Sequence, residues 1–146
     1  QWDRKAKSSM GVRGMMMVTL ETAASVGIKN RLDAKQSIEG GSKYFASLLN
    51  KNIFGKSIQD QVSITLASYN LGPTNIIYIA EKLEKEPDEI TWTDFEKALK
   101  DINGEEIDLL NQKNYPRGQQ AIDYVNRTKD YYELMKAYSC SDATEQ

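Results

Sequence analysis

Histidine does not occur in this 146-residue sequence, and cysteine occurs once. Without histidine, Ser-His and Cys-His catalysis and any His-ligated metal are excluded. Cys140 stands alone in the polar stretch "SCSDATEQ", so there is no disulfide framework and no cysteine-rich zinc site. A formal net charge of −2 leaves no basic footprint for nucleic acid and no polybasic membrane patch. No apolar run approaches the roughly 18 residues needed to cross a bilayer, and no signal peptide is evident. The first residue is Gln1 rather than Met, so composition leaves the compartment open. Alternating strand patterns of useful length are missing, as is any repeat near the 34 or 40 residues of helical solenoids. What remains for chemistry is carboxylates, tyrosines, lysines, hydroxyls and amides. That inventory suits hydrolysis or group transfer by a carboxyl acid, with no cofactor and no metal.

Helical periodicity dominates what is present. Ile38, Phe45, Leu48 and Leu49 fall near one face of a segment after "DAKQS". Ile58, Val62, Leu66 and Tyr69 recur at helical spacing, as do Ile76, Ile79, Ala80 and Leu83 before Pro87 stops that helix. "TDFE" (Thr93 to Glu96) reads as a capping box leading into Phe95, Leu99 and Ile102. A last long element runs from about Gln119 to Tyr138 with Ile122, Val125, Tyr132 and Met135 on its apolar side. "GVRG" and "EGG" read as corners or helix starts. Residues 103–118, with Gly104, Pro116 and Gly118, read as an irregular excursion. The expectation is an all-α chain of six or seven short helices. It places one compact domain over residues 1–138 and a disordered polar tail over 139–146.

Three stretches raise questions of function. In "SYNLGPTN", residues 68–75, an apolar helical run closes on Tyr69 and Asn70 and is broken at once by Gly72 and Pro73. Asn70 is either an ordinary helix-terminal residue or an amide held at the lip of a cleft. In "GVRGMMMVT", residues 11–19, glycines three apart suggest a turn with positive φ or close backbone passage. Three successive methionines cannot all face one way, so at least one points away from the core. They are gap-filling core residues or the apolar wall of a groove that would suit a sugar face or acyl group. In "YPRGQQAIDYV", residues 115–125, Tyr124 is either a buried tyrosine with a satisfied hydroxyl or a site residue. The acidic runs "EKLEKEPDE" and "NGEEIDLL" read as solvated faces, and no Asp/Glu pair has a convincing metal-ligand spacing.

In order and spacing, these stretches together resemble the lytic transglycosylases of the goose-lysozyme-like superfamily. That family runs Glu-Ser-x-Trp, then Ala-x-Ser-x-x-Gly-x-x-Gly-Leu/Met-Met, then Ala-x-Tyr-Asn-x-Gly, then a late Tyr-Val. "WDRKAKSSMGVRGMMMVT" supplies Trp2, Ala6, Ser8, Gly11, Gly14, Met15 and Met16. "LASYNLG" supplies Ala67, Tyr69, Asn70 and Gly72, and "YPRGQQAIDYV" supplies the Arg-Gly pair and Tyr124. "RLDAKQSIEGGSKYF" is similar to the family's connecting helix. Many relatives carry Gln where this chain has Met17; the membrane-bound F type resembles it in carrying Met. The resemblance spans roughly residues 1–138. It places the family's catalytic Glu two positions before Gln1, so the domain as given is expected to lack its first helix.

The resemblance implies a lysozyme-like all-α domain with a substrate groove. Its implied activity is cleavage of the β-1,4 bond between N-acetylmuramic acid and N-acetylglucosamine in peptidoglycan, leaving 1,6-anhydro ends. One glutamic acid would protonate the leaving oxygen and then, as carboxylate, accept the proton of the muramyl 6-hydroxyl. The second carboxylate usual in glycosidases is dispensable if the substrate's acetamido group assists. Asn70 would bond a sugar acetamido or hydroxyl group, and Tyr124 would direct its hydroxyl at the assisting acetamido. Met15 and Met16 would line the groove with Tyr69, and Ser8 would hydrogen-bond the acid. Residues 1–146 alone would be inactive, because the acid lies upstream. The implied setting is the bacterial cell envelope, periplasmic and outer-membrane associated, with glycan strands as partner and a solute-binding-like domain upstream. The alternatives are a non-catalytic glycan-binding or regulatory module of the same fold, and a helical interaction domain with no saccharide site.

Overall fold

The computed structural model describes residues 7, 8, 11–101 and 117–142. Among these residues the regular elements are all helices, and extended pairing is confined to two isolated antiparallel bridges, Lys7–Arg13 and Arg13–Val18. The expected all-α class is therefore what the structure has. The helices are α1 (Leu20–Ser25), α2 (Ala34–Lys51), α3 (Ile58–Leu71), α4 (Pro73–Lys82), α5 (Trp92–Asp101) and α6 (Arg117–Asp142), with a 3₁₀ turn at Pro87–Glu89. They fall into two compact units, Gln1–Lys51 and Asn52–Gln146.

In the first unit α1 packs on α2. Thr19 starts α1, its hydroxyl accepting the Thr22 N–H at 3.0 Å. α2 buries Ser37, Gly40, Gly41 and Leu48. That face differs from the aliphatic stripe the periodicity suggested, since Ile38 is 43% exposed. The glycines of "EGG" are thus not a corner but the middle of a helix. A Cβ on Gly40 would overlap the Ile28 side chain, and one on Gly41 would come within 2.6 Å of Met16 Cβ. Two side chains from the preceding segment use the space that the glycines leave.

In the second unit α3 is central, packing against α4, α5 and α6. Every residue from Ser63 to Ser68 is buried, so α3 is covered nearly all round rather than along one stripe. Ile58, expected on the apolar face, is 75% exposed at the helix start. The polar members of the buried run are satisfied locally: Ser63 donates to the Gln59 carbonyl and Thr65 to that of Gln61. Ile76, Ile79 and Ala80 from α4, Phe95 and Leu99 from α5, and Ala121, Ile122 and Val125 from α6 complete the core. Each such large apolar side chain contributes about 1.5–3 kcal/mol by leaving water. Phe54 meets Phe95 with ring centroids 6.4 Å apart.

Two helix starts anchor this core. Ser57 and Asp60 form a reciprocal capping box on α3, and the free Asp60 oxygen accepts the Trp92 N–H at 2.7 Å. The α5 capping box is Thr91 with Asp94, two residues before the one read in "TDFE". Burial of Trp92 decides the frame, since starting the helix there puts Trp92, Phe95 and Leu99 on one inward face. Ile102 and residues 103–116 of the excursion expected over 103–118 lie outside the described residues, whereas Arg117 and Gly118 are helical rather than irregular. A Cβ on Gly118 would overlap the Leu99 carbonyl oxygen, so α5 and α6 touch backbone to backbone there. From Asp130 to Tyr138 the long helix is exposed: Tyr132 and Met135, expected on its apolar side, are 62% and 68% accessible. The helix backbone continues to Asp142, four residues into the expected tail.

Candidate functional site

The glycine–methionine stretch is a tight turn in the first unit. Gly11 and Gly14 have φ of 75° and 83°, the left-handed region that glycine adopts without penalty. Gly14 is also sterically confined, because a Cβ would overlap the Arg31 carbonyl oxygen. The Met17 N–H closes the turn on the Gly14 carbonyl at 3.1 Å. Met17 itself is left-handed, with φ 49°, and partly exposed. That conformation costs a non-glycine residue about 1–2 kcal/mol, so the surroundings must enforce it.

Arg31 and Ser37 are the groups that enforce it. Arg31 Nη1 donates to the Gly11 carbonyl at 3.2 Å and to the Val18 carbonyl at 2.9 Å, clasping both ends of the turn. The Met16 N–H donates to the buried Ser37 hydroxyl at 3.1 Å, which fixes the turn to α2. Met15 and Met16 are half-buried, with Met16 lying against Gly41, while Met17 points outward. One of the three methionines thus faces away from the core, as their succession required. Ser8 sits where the chain enters this turn, its N–H donating to the Val12 carbonyl and its carbonyl accepting from Gly11 N–H.

The "SYNLGPTN" segment forms the junction between α3 and α4. Gly72, with φ 92°, ends one helix and starts the next, and Pro73 takes the first position of α4, where no N–H is needed. The two asparagines do different work. Asn75 is buried, and its amide donates to the Leu71 carbonyl at 2.6 Å, satisfying the end of α3. Asn70 is half-buried, and no hydrogen bond from any described residue reaches its side chain. Tyr69 is half-buried beside it.

Tyr124 lies on α6, the helix packed most extensively against α3. Burial raises its hydroxyl above the ordinary tyrosine value, with Thr128 opposing, so it remains a neutral O–H donor across the physiological range. Ser8, Met15 and Met16 thus belong to the first unit, and Tyr69, Asn70 and Tyr124 to the second. Trp2, Ala6, Tyr115 and Pro116 lie outside the described residues.

Carboxylates around these elements are occupied elsewhere. Burial alone would raise Asp60, but hydrogen bonds from Ser57 and from the Trp92 N–H outweigh it and lower its pKa. The ammonium of Lys85, with hydrogen bonds from Thr91, lowers Asp94 to about 2. Asp33 accepts the Gln36 N–H at the start of α2. Among the described residues no group of three or more metal-binding side chains converges. No described helix is long and apolar enough to cross a membrane.

Sequence reasoning missed Arg31 and Ser37. A cation that binds main-chain carbonyls looks like any surface charge in a sequence. Ser37 did leave a trace, as a small hydroxyl residue three positions before Gly40 on the face that α2 buries.

Residues 1–92 match the family model described as Transglycosylase SLT domain. The chain is similar to membrane-bound lytic murein transglycosylase F of Photobacterium profundum, 36% identical over 138 residues, which are 94% of this chain and 27% of that protein. It is likewise similar to the same-named proteins of Shewanella woodyi, 37% identical over 139 residues, and Saccharophagus degradans, 36% identical over 137. In each of these two the match covers 92% of this chain and 28% or 27% of the relative. The chain therefore spans just over a quarter of the length of the curated relatives it matches.

Proposed function

Because this chain belongs to the Transglycosylase SLT domain family, we propose that it acts on peptidoglycan. In this reading it is the sugar-binding part of a lytic transglycosylase in the bacterial cell envelope. The bond cleaved is the β-1,4 linkage between N-acetylmuramic acid and N-acetylglucosamine, and the muramyl 6-hydroxyl displaces the leaving sugar to give a 1,6-anhydro end.

The observation that carries this reading is the Asn70 amide. It is half-buried at the end of α3 with no described partner, whereas the neighbouring Asn75 is fully used inside the protein. A partly desolvated amide with free donors and an acceptor fits a sugar acetamido or hydroxyl group, which offers the complementary set. Tyr124 supports it as a neutral O–H donor, able to orient an acetamido group for attack on the anomeric carbon. Tyr69, Met15 and Met16 supply apolar surface for a sugar face, and Ser8 a hydroxyl for the acid.

Two of the described carboxylates, Asp60 and Asp94, do not suit the role of the acid. Asp60 and Asp94 are both held below the ordinary carboxylate value, the wrong direction for a group that must carry a proton to a leaving oxygen. The family resemblance puts that glutamate two positions before Gln1. Residues 1–146 on their own would accordingly bind glycan and leave it intact, and an N-terminal extension carrying the glutamate would restore turnover.

Mass spectrometry of fragments released from purified sacculi tests this. Anhydro-muropeptides from the extended protein, and none from residues 1–146, are the expected result. Reducing ends would indicate hydrolysis instead, and binding without cleavage by the extended protein would make it a non-catalytic glycan module.

A further inference from the structure

A cavity of about 340 Å³ lies wholly within the first unit, between α1, residues 28–32 and Arg13 of the glycine–methionine turn. Its lining has two characters. Leu20, Ala24 and Ile28 contribute apolar lining, and Arg13, Lys29 and Arg31 contribute three cations. Among the described residues none of these cations is in an ion pair. No acid is among the lining residues, and Asp33, next in sequence to Leu32, caps the start of α2.

Arg31 has donors to spare. Nη1 carries two hydrogens, and both are committed to the Gly11 and Val18 carbonyls. Nη2 and Nε remain, three hydrogens in a planar fork that matches the two oxygens of a carboxylate. The two bonds to the turn hold that fork in place, so little entropy is lost when it binds.

We propose that this cavity binds a carboxylate carried on a short aliphatic segment, with the acid on Arg31 and Lys29 and the methyl or methylene groups against Leu20 and Ile28. Resting on the reading of the protein as a peptidoglycan enzyme, the ligand is the peptide attached to the muramyl sugar, which bears free carboxylates beside alanine methyls. The cavity thus selects strands that still carry peptide.

Methyl NMR of the full chain, following Ile28 and Leu20, reads the site directly. The probes are a muramyl tripeptide, the same tripeptide with its carboxylates amidated, inorganic phosphate and a peptide-free chitin tetramer. The carboxylated tripeptide should shift both methyls, and added salt should weaken it because the cations are accessible. Lys29→Glu should weaken that binding at least tenfold while leaving cleavage of peptide-free glycan by the extended protein unchanged. Lys29→Ala, which cannot misfold through charge reversal, should weaken it less but measurably. Equal shifts with the amidated tripeptide, equal binding of phosphate, or an affinity insensitive to both Lys29 variants would each overturn the proposal. Loss of peptide-free glycan cleavage in the unmodified extended protein would instead count against the enzymatic reading.

Discussion

Asn70 and Asn75 stand five residues apart on one helix junction. They have the same side chain, but Asn75 is buried and bonded to the Leu71 carbonyl, whereas Asn70 is half-buried with no described partner. That difference predicts how each responds to truncation. In a protein extended upstream to include the proposed catalytic glutamate, Asn70→Ala and Tyr124→Phe should each lower peptidoglycan turnover by about 10²–10³, the usual effect of losing one preorganised donor. Thermal melting should move little, because neither change opens a large buried void. Wild-type release of anhydro-muropeptides by both variants would return these residues to a structural role. Asn75→Ala should do the opposite and lower the melting temperature, since it leaves the Leu71 carbonyl unpaired in the core. Gly14→Ala should be more severe, at least about 2 kcal/mol. A left-handed backbone and an overlap with the Arg31 carbonyl act together there. Chemical denaturation measures it, and an unchanged midpoint would mean the turn re-forms without the glycine.

Individual helices are held by their first turns as much as by their apolar faces. α5 begins at Thr91 and Asp94 because the buried Trp92 must lie inside its first turn. Thr91→Ala should cost about 1 kcal/mol, the usual value of an N-cap, whereas Thr93→Ala, at an exposed position, should cost almost nothing. Equal losses would restore the frame that the sequence suggested. Asp94 also sets a pH dependence. Its folded pKa of about 2 lies below the ordinary value of 3.8, so it contributes stability that is fully present above about pH 4. That contribution disappears as the pH falls toward 2. Lys85 makes the 2.7 Å contact, and its side chain is 43% exposed, so solvent screening keeps the effect below about 1 kcal/mol. Lys85→Gln should flatten the acid limb of a denaturation series, and an unaltered limb would assign the depression to the Thr91 hydrogen bonds.

At the scale of the whole molecule, the core of the second unit stops well before its last helix does. Among the α6 residues whose side chains are described, Val125 is the last that is fully buried, and Tyr131, Leu134, Met135 and Tyr138 are each more than half exposed. Lys129 lies over the Trp92 ring at 5.7 Å and links α6 to α5. Removing residues 131–146 should therefore leave the melting temperature of the chain nearly unchanged. A fall of more than a few degrees would show that the exposed half of α6 supports the core.

The class of this protein was legible in the sequence for a simple reason. Helical spacing in "IIYIAEKL" and "FEKAL" is a local property, and the burial of Ile76, Ile79, Phe95 and Leu99 follows from it directly. The break at Gly72–Pro73 was equally local, since proline and a left-handed glycine act on their own backbone. The family resemblance was legible as well, and the match over residues 1–92 bears that family out. What the sequence could not decide were matters of distance between residues far apart along the chain. The buried face of α2 runs over Ser37, Gly40 and Gly41 because Met16 and Ile28 occupy the space against it, so the apolar Ile38 is left outside. Arg31 became the clasp of a turn 13 to 20 residues earlier. The α5 frame moved by two residues because Trp92 is needed in the core. Periodicity records which residues are apolar, but only tertiary packing decides which of them are covered and which polar groups are left free to meet a ligand.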